Sequence, residues 1–369
     1  MLKKNTNELS DNLTNKIICG NCIEVMEGYP DNCIDLIFAD PPYNLQLNET
    51  LYRPDYSKVD AVTEDWDKFR DFQSYDKFTQ DWLSECKRVL KPNGSIWVIG
   101  SYHNIFRIGY IMQNLGFWIL NDVIWSKTNP MPNFRGRRFT NAHETVIWSA
   151  KDKYSRYKYN YDALKSLNDD TQMRSDWHIP ICNGKERLRD DTGNKIHPTQ
   201  KPEALLHRII ISATDPQSII MDPFLGSGTS AAVAKKLGRR WIGIEKDEKY
   251  IKVARDRLNK VSPADPLAIN IKSTKRDQKR IPFGSLVERG LIKTGEILYC
   301  SKKKNKAIVK ADGSLELRSI VGSIHKLGAY CQGTESCNGW TYWHYVRNNT
   351  LFPIDQIREE LKSNKGVIY

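Results

Sequence analysis

The chain has no apolar run near the roughly 18 to 20 residues that a bilayer-crossing helix needs; stretches such as 95–100 (SIWVIG) stop after a few positions. Its first sixteen residues are polar and hold no apolar signal-peptide core, so a soluble, non-exported, cytoplasmic protein is expected. A disulfide scaffold is missing too, since only eight cysteines are spread over 369 residues. Cys19 and Cys22 form a lone Cys-x-x-Cys and Cys331 and Cys337 stand apart from them, with no second ligand pair of the kind that zinc requires, so no metal is assigned. Acidic residues are scarce toward the end. The whole chain carries a formal +12, and residues 261–369 contribute +8 of it against +4 for the first 260. A basic last third suits a polyanion, nucleic acid by default, although charge kept for solubility gives the same count.

Apolar residues are present in plenty. Hydrophobic residues make up 40% of the chain, with ten Trp and seventeen Tyr, which excludes a disordered or low-complexity polymer. The length suits two domains, or one large domain with an appendage. Short, nearly continuous apolar runs at 17–19, 34–39, 95–99, 118–125, 144–148, 219–222 and 241–245 read as strands. Amphipathic segments at 75–90, 202–212, 229–237 and 246–258 read as helices. Together they predict a mostly parallel sheet covered by helices. Long polar or Pro/Gly/Arg-rich stretches interrupt it at about 46–73 and 127–195. Residues 1–262 are expected to form one domain, 263–280 a basic linker, and 281–369 a small mixed or β-rich module closing on a helix at 353–361.

Three motifs carry chemistry. Asp40-Pro41-Pro42-Tyr43-Asn44 comes directly after the apolar run 35–39, so a carboxylate stands where open α/β sheets present ligands. The prolines stiffen the loop and remove two N–H donors, leaving its acceptors to dominate. Acceptors beside an aromatic ring suit a planar base with an exocyclic amine: Asp40 and the Pro41 carbonyl take its N–H groups while Tyr43 stacks on the ring. Without the preceding strand, an ordinary capped turn would explain the same residues. The second motif, Asp222-Pro223-Phe224-Leu225-Gly226-Ser227-Gly228-Thr229, joins a predicted strand to a helix, and Glu245 ends the next strand nineteen residues beyond Gly226. That spacing is the one at which an acidic residue accepts from ribose hydroxyls in nucleotide-binding α/β folds. A dinucleotide-dependent dehydrogenase fits the glycines as well, but it leaves residues 40–43 without a task. The third motif, His197-Pro198-Thr199-Gln200-Lys201-Pro202, opens a helix; Thr199 and Gln200 are candidates for a ligand's carboxylate and amine, and Pro202 alone would also explain it as a helix entry.

In this order the three motifs resemble the S-adenosylmethionine-dependent amino-DNA methyltransferases of the β circular arrangement. Segments 51–66, 95–106, 119–134, 142–148 and 172–177, with Arg280-Ile-Pro-Phe-Gly284, Ser323-Ile-His-Lys326 and Cys337-Asn-Gly-Trp-Thr-Tyr-Trp-His344 in the tail, are similar to the cell-cycle-regulated bacterial adenine methyltransferases. The resemblance implies a Rossmann-like sheet with a C-terminal DNA-binding module, S-adenosyl-L-methionine as cofactor, adenine-N6 methylation in GANTC, a homodimer, and work on the bacterial nucleoid. It also implies roles for single residues. Asp40, Pro41, Pro42 and Tyr43 hold the adenine, which must swing out of the duplex. Asp222, Phe224, Gly226, Ser227, Gly228 and Thr229 cradle the cofactor, Glu245 holds its ribose, and Thr199 and Lys201 hold its methionine end. Asn21 belongs to the same site and departs from the family's usual Gly-Asp-Cys, trading a carboxylate for an amide. Asn44, Arg135, Arg137, Arg138 and Arg174 are candidates for DNA contact, as are Trp340 and Trp343, on which bases of an opened strand would stack. Cytosine-N4 methylation by the same fold and a DNA-binding relative weakened in catalysis remain alternatives, the first disfavoured by Asp rather than Ser at position 40.

Overall fold

The computed structural model describes residues 11–45, 67–132, 137–269 and 281–363. The chain divides into two compact units, Met1–Thr274 and Lys275–Tyr369.

The first unit runs β1 (Lys16–Cys19), α1 (Cys22–Glu27), β2 (Ile34–Ala39), α2 (Phe72–Val89), β3 (Leu90–Gly100), α3 (Ile105–Asn114), β4 (Trp118–Lys127), β5 (His143–Ala150), α4 (Tyr161–Ser166), β6 (Asp176–Ile179), α5 (Glu203–Ala213), β7 (Ile219–Asp222), α6 (Thr229–Lys236), β8 (Arg240–Glu245), α7 (Glu248–Asn259) and α8 (Pro266–Ile269). The strands form one eight-stranded sheet in the order β1-β8-β7-β2-β3-β5-β4-β6. Every pairing is parallel except β3 with β5 and β5 with β4. The runs at 34–39 and 219–222 become strands over those same residues because they lie at the centre, with both faces covered. Alternation along β2 sends Ile37 and Ala39 into a core with Met26, Trp82 and Met112, and Leu36 and Phe38 into a second core with Ile209, Ala232 and Trp241.

Helix α2 begins three residues before the apolar pattern does, because Asp71 accepts from the Ser74 backbone N–H at 2.7 Å and caps it. Three elements have no signal in the periodicity. Helix α1 is only six residues long, α4 likewise, and β6 is a four-residue strand that joins the sheet beside β4. Helix α3 is longer and buries Ile105, Ile108, Ile111 and Met112 along one face, an amphipathic spacing, yet it is not among the helices expected from the sequence.

The second unit comprises α9 (Phe283–Glu288), β9 (Ile297–Cys300), β10 (Lys306–Val309), β11 (Leu315–Leu317), β12 (Ile320–Gly322), α10 (Ile324–Gln332), α11 (Gly339–Tyr342), β13 (Trp343–Arg347), β14 (Thr350–Pro353) and α12 (Ile354–Ser363). Its six strands form an antiparallel sheet in the order β12-β11-β10-β9-β13-β14. Trp343 and Trp340 belong to its core, packed with Leu298, Leu327 and Ile354. The Trp343 side chain is fully buried and its indole N–H donates to the Ile324 carbonyl at 2.9 Å, while Trp340 lies under the Arg358 guanidinium at 4.4 Å. The expectation that these two rings offer stacking faces to DNA is therefore corrected: Trp343 at the head of β13 and Trp340 on the short helix α11 before it both point inward to fill the core. Among the described residues, no helix is long and apolar enough to cross a membrane and no cluster of His, Cys, Asp or Glu is arranged to hold a metal ion.

Candidate active site

Strands β2, β7 and β8 are neighbours and run parallel, so their carboxyl ends open on one edge of the sheet. Asp40 comes directly after β2, Asp222 ends β7 and Glu245 ends β8. Topology alone thus gathers three carboxylates that lie far apart in sequence. They line a cavity of about 740 Å³, together with Asn21, Pro41, Pro42, Tyr43, Thr199, Lys201, Phe224, Gly226, Ser227 and Thr229.

The glycine loop has two tasks. Gly226 sits at φ +51°, and a Cβ there would lie 2.9 Å from His197 Nε2, so a larger residue would close the cavity wall. Gly228, expected to touch the cofactor, instead caps α6 at φ +77°, where a Cβ would meet the Ala254 Cβ at 2.9 Å. Its absence of side chain serves helix packing, and it is not among the residues lining the cavity. The loop is tied to both acidic strand ends. Glu245 accepts from the Gly226 N–H at 2.7 Å through one oxygen and from the N–H groups of Lys246 and Asp247 at 2.8 and 2.9 Å through the other. Asp222 accepts from the Phe224 N–H at 2.9 Å and from the Ser230 hydroxyl. Burial pushes the Asp222 carboxyl up to about 7, and the neighbouring Asp40 and Glu245 add to the rise. Burial likewise drives His197 down to about 3, so its ring is neutral at physiological pH.

On the other side of the cavity the Asp-Pro-Pro-Tyr loop is held at every turn. Asp67, at the end of a long polar stretch, accepts from the backbone N–H groups of Tyr43, Asn44 and Leu45 at 2.6, 2.8 and 2.9 Å. The Pro42 carbonyl accepts from the Tyr75 hydroxyl at 2.9 Å and the Asn104 amide at 3.4 Å. Asp40 Oδ2 receives the Lys201 ammonium at 2.6 Å, whereas Asp40 Oδ1 is buried without a partner. An unpartnered buried carboxylate oxygen costs free energy unless something completes it. Burial raises the Asp40 carboxyl above its ordinary value against the pull of Lys201.

Lys201, expected at the methionine end of a cofactor, lines the cavity and pairs with Asp40. Gln200 is spent on structure, its amide bridging the Leu188 N–H and the Glu186 carbonyl. Thr199 lines the cavity, its backbone N–H 3.3 Å from His197 Nδ1. Asn21 caps α1 by accepting from the Ile23 N–H at 3.0 Å, a task that Asn and Asp perform equally well. Asn44 is buried, at 5% exposure, so its amide does not reach the surface expected of a DNA contact. Arg174 is exposed and held by both oxygens of Asp176 at 2.7 and 2.9 Å. Arg137 and Arg138 are exposed, while Arg135 lies outside the described residues, as does most of the 46–73 segment.

A cavity with a ribose-competent carboxylate at one end, an unpartnered carboxylate oxygen at the other and a glycine in the wall between suits a cationic, ribose-bearing ligand flanked by an amine. Residues 34–256 match the DNA methylase family, which spans adenine-N6 and cytosine-N4 enzymes, and residues 264–366 match a family described as Restriction Enzyme Adenine Methylase Associated. The chain belongs to the DNA methylase family and is an S-adenosyl-L-methionine-dependent DNA methyltransferase. It is similar to the Type II methyltransferase M.HinfI of Haemophilus influenzae, with 47% identity over 360 residues that cover 98% of this chain and 99% of that protein. It is also similar to the Type II methyltransferase M2.DpnII of Streptococcus pneumoniae, with 46% identity over 226 residues, 61% of this chain and 82% of that one. The solved PvuII DNA methyltransferase (cytosine-N4-specific) shares the fold, with a TM-score of 0.52 and 20% identity over 71% of this chain and 93% of its own.

Proposed function

We propose that the protein methylates the N6 amine of adenine in double-stranded DNA, within GANTC, after the target base has swung out of the duplex. The observation that carries this reading is Asp40 Oδ1, a buried acceptor without a partner in the cavity that also holds Gly226 and Glu245. An exocyclic amine is a poor nucleophile because its lone pair is delocalised into the ring, and acceptors on its N–H groups return that density to nitrogen. Asp40 supplies one such acceptor. Lys201 keeps the carboxylate oriented through its other oxygen, and the three N–H groups given to Asp67 hold the loop beneath it. The bound cofactor supplies a methyl group on a cationic sulfonium. Glu245, Asp222, Phe224, Gly226, Ser227, Thr229 and Thr199 would hold it, and Asp40 to Tyr43 would hold the base. The C-terminal match to a family named for adenine methylases and the carboxylate at position 40 both favour adenine over cytosine.

Further parts of the reading rest on the resemblance: a homodimer, DNA contact through the basic segment 263–280, the C-terminal unit, Arg137 and Arg138, and a place on the nucleoid. The Type II names of the relatives favour a restriction-modification setting over a cell-cycle mark. Incubating the purified protein with S-adenosyl-L-methionine and unmethylated plasmid, then sequencing modified bases, tests the whole. N6-methyladenine confined to GANTC is expected. Methyladenine elsewhere would discard the site, and N4-methylcytosine would overturn the choice of base.

A further inference from the structure

The strand order brings one more pair of charges to the catalytic edge. β5 runs antiparallel to β3, with Thr145 opposite Gly100, so β5 begins where β2 and β3 end. Its second residue, Glu144, therefore stands beside the loop that leaves Ala39, although 101 residues separate it from Tyr43. Glu144 Oε2 accepts from the Tyr43 hydroxyl at 2.9 Å and lies 3.9 Å from the Lys201 ammonium. Its Oε1 lies 2.8 Å from the ammonium of Lys127, the last residue of β4, which neighbours Glu144 diagonally across the hairpin. The side chains of Glu144, Lys127 and Lys201 are 12, 11 and 7% exposed. With Asp40 they make a buried set of two carboxylates and two ammonium groups. Burial would raise the Glu144 carboxyl, but Lys201 and Lys127 outweigh it and hold the group below its ordinary value, so it stays ionised.

Buried ion pairs add little net stability over apolar residues of the same volume, so packing gives no reason for four charges at this spot. Geometry gives one. A tyrosine ring can slide and tip about its side-chain bonds until something fixes its far end, and here the hydroxyl donates to Glu144 at 2.9 Å with the Asp40 carboxylate beside it. We propose that Glu144 is a positioning residue for methyl transfer, fixing the Tyr43 ring through its hydroxyl, with Lys127 holding the carboxylate in place at the foot of the hairpin. Glu144 acts through Tyr43 and touches no reacting atom itself. The inference rests on the reading that residues 40–43 hold the target base, and it is indifferent to which base that is.

The test compares two charge-balanced double variants in the full-length protein, reading transfer of labelled methyl to plasmid DNA whichever base receives it. Lys127→Met with Glu144→Gln keeps an acceptor for the Tyr43 hydroxyl; Lys127→Met with Glu144→Leu removes it. The Gln form should stay within about fivefold of wild-type kcat and the Leu form should fall about 10- to 100-fold, both binding cofactor within about threefold of wild type. In a Tyr43→Phe background the difference between the two should vanish, because the hydroxyl they act through is gone. Equal kcat for the Gln and Leu forms, a difference that survives in Tyr43→Phe, or a parallel loss of cofactor affinity would overturn the proposal. Should the Leu form not fold, Tyr43→Phe alone removes the same hydrogen bond from the other side, and an unchanged kcat there overturns it equally. Transfer retained by Asp40→Ala would instead sink the reading of residues 40–43, a distinct failure.

Discussion

Both units bury large or polar side chains, but for opposite reasons. At the ligand edge of the first unit, Lys201 and Asp222 are buried and Asp40 and Glu144 largely so, although each is ionisable; the three carboxylates are placed by strand ends, Lys201 by the loop before α5, and all are held by named partners. In the second unit, Trp340 and Trp343 are buried because an antiparallel sheet needs apolar mass on its inner face. A carboxylate below the surface is expensive and calls for a task beyond packing, whereas an indole below the surface is already accounted for. Burial therefore separates function from framework in opposite directions for the two residue types.

The largest expected effect is at the polar end of that contrast. Asp40→Ala should cut methyl transfer by roughly a thousandfold while cofactor binding, measured by calorimetry, stays within about tenfold, since the lost acceptor acts on the amine. Equal loss of both would mean that Asp40 serves the cofactor or the fold, and the contrast would fail. Trp343→Ala should destabilise the second unit by about 3–5 kcal/mol in urea unfolding, as expected for an aromatic removed from a core. A folded variant of unchanged stability that binds DNA weakly would return Trp343 to the role of a stacking face.

A subtler effect concerns Asp222. Its carboxyl titrates near 7 when folded and near 4 when unfolded. The folded protein holds the proton more tightly, so the wild type loses stability from this group as pH rises from about 4 to about 7. Asp222→Asn lacks that titration and should gain on wild type across the same window, by a few kcal/mol at most, in thermal unfolding tracked at successive pH values. A constant difference would mean that Asp222 is ionised throughout. The smallest effect is expected at Arg174, whose exposed pair with Asp176 is screened by solvent and contributes little to stability. Arg174→Ala should leave stability nearly unchanged, and any fall in DNA affinity, read by titration against a duplex, would then report contact with DNA.

Legibility in the sequence obeys the same division. The central strands and the residues at their carboxyl ends can be read because a doubly covered strand leaves a continuous apolar run, and the residue at its carboxyl end stands at the ligand edge. Asp40, Asp222, Gly226 and Glu245 are legible in this way. Glu144 is visible only as the polar head of an apolar run; its partnership with Tyr43 depends on β5 running backwards, which no local pattern encodes. Asp67 is lost within a polar stretch, since three backbone N–H groups from residues 43–45 leave no trace in composition. Trp340 and Trp343 mislead because an aromatic-rich segment reads as one strand with exposed rings, whereas Trp340 sits on helix α11 and both rings face the core. Asn21, which looks like a departure, performs a helix-capping task that either side chain can serve.

The hairpin of β4 and β5 has one more consequence. Backbone pairing from Trp118 with Ala150 to Ser126 with His143 closes it, the Lys127 N–H donates to the Ala142 carbonyl at 2.8 Å, and the Lys127–Glu144 pair seals its foot. Residues 128–141 are thus an insert whose two ends are clamped together independently of the residues between them. Such an insert can lengthen, shorten or be exchanged for another without moving Tyr43.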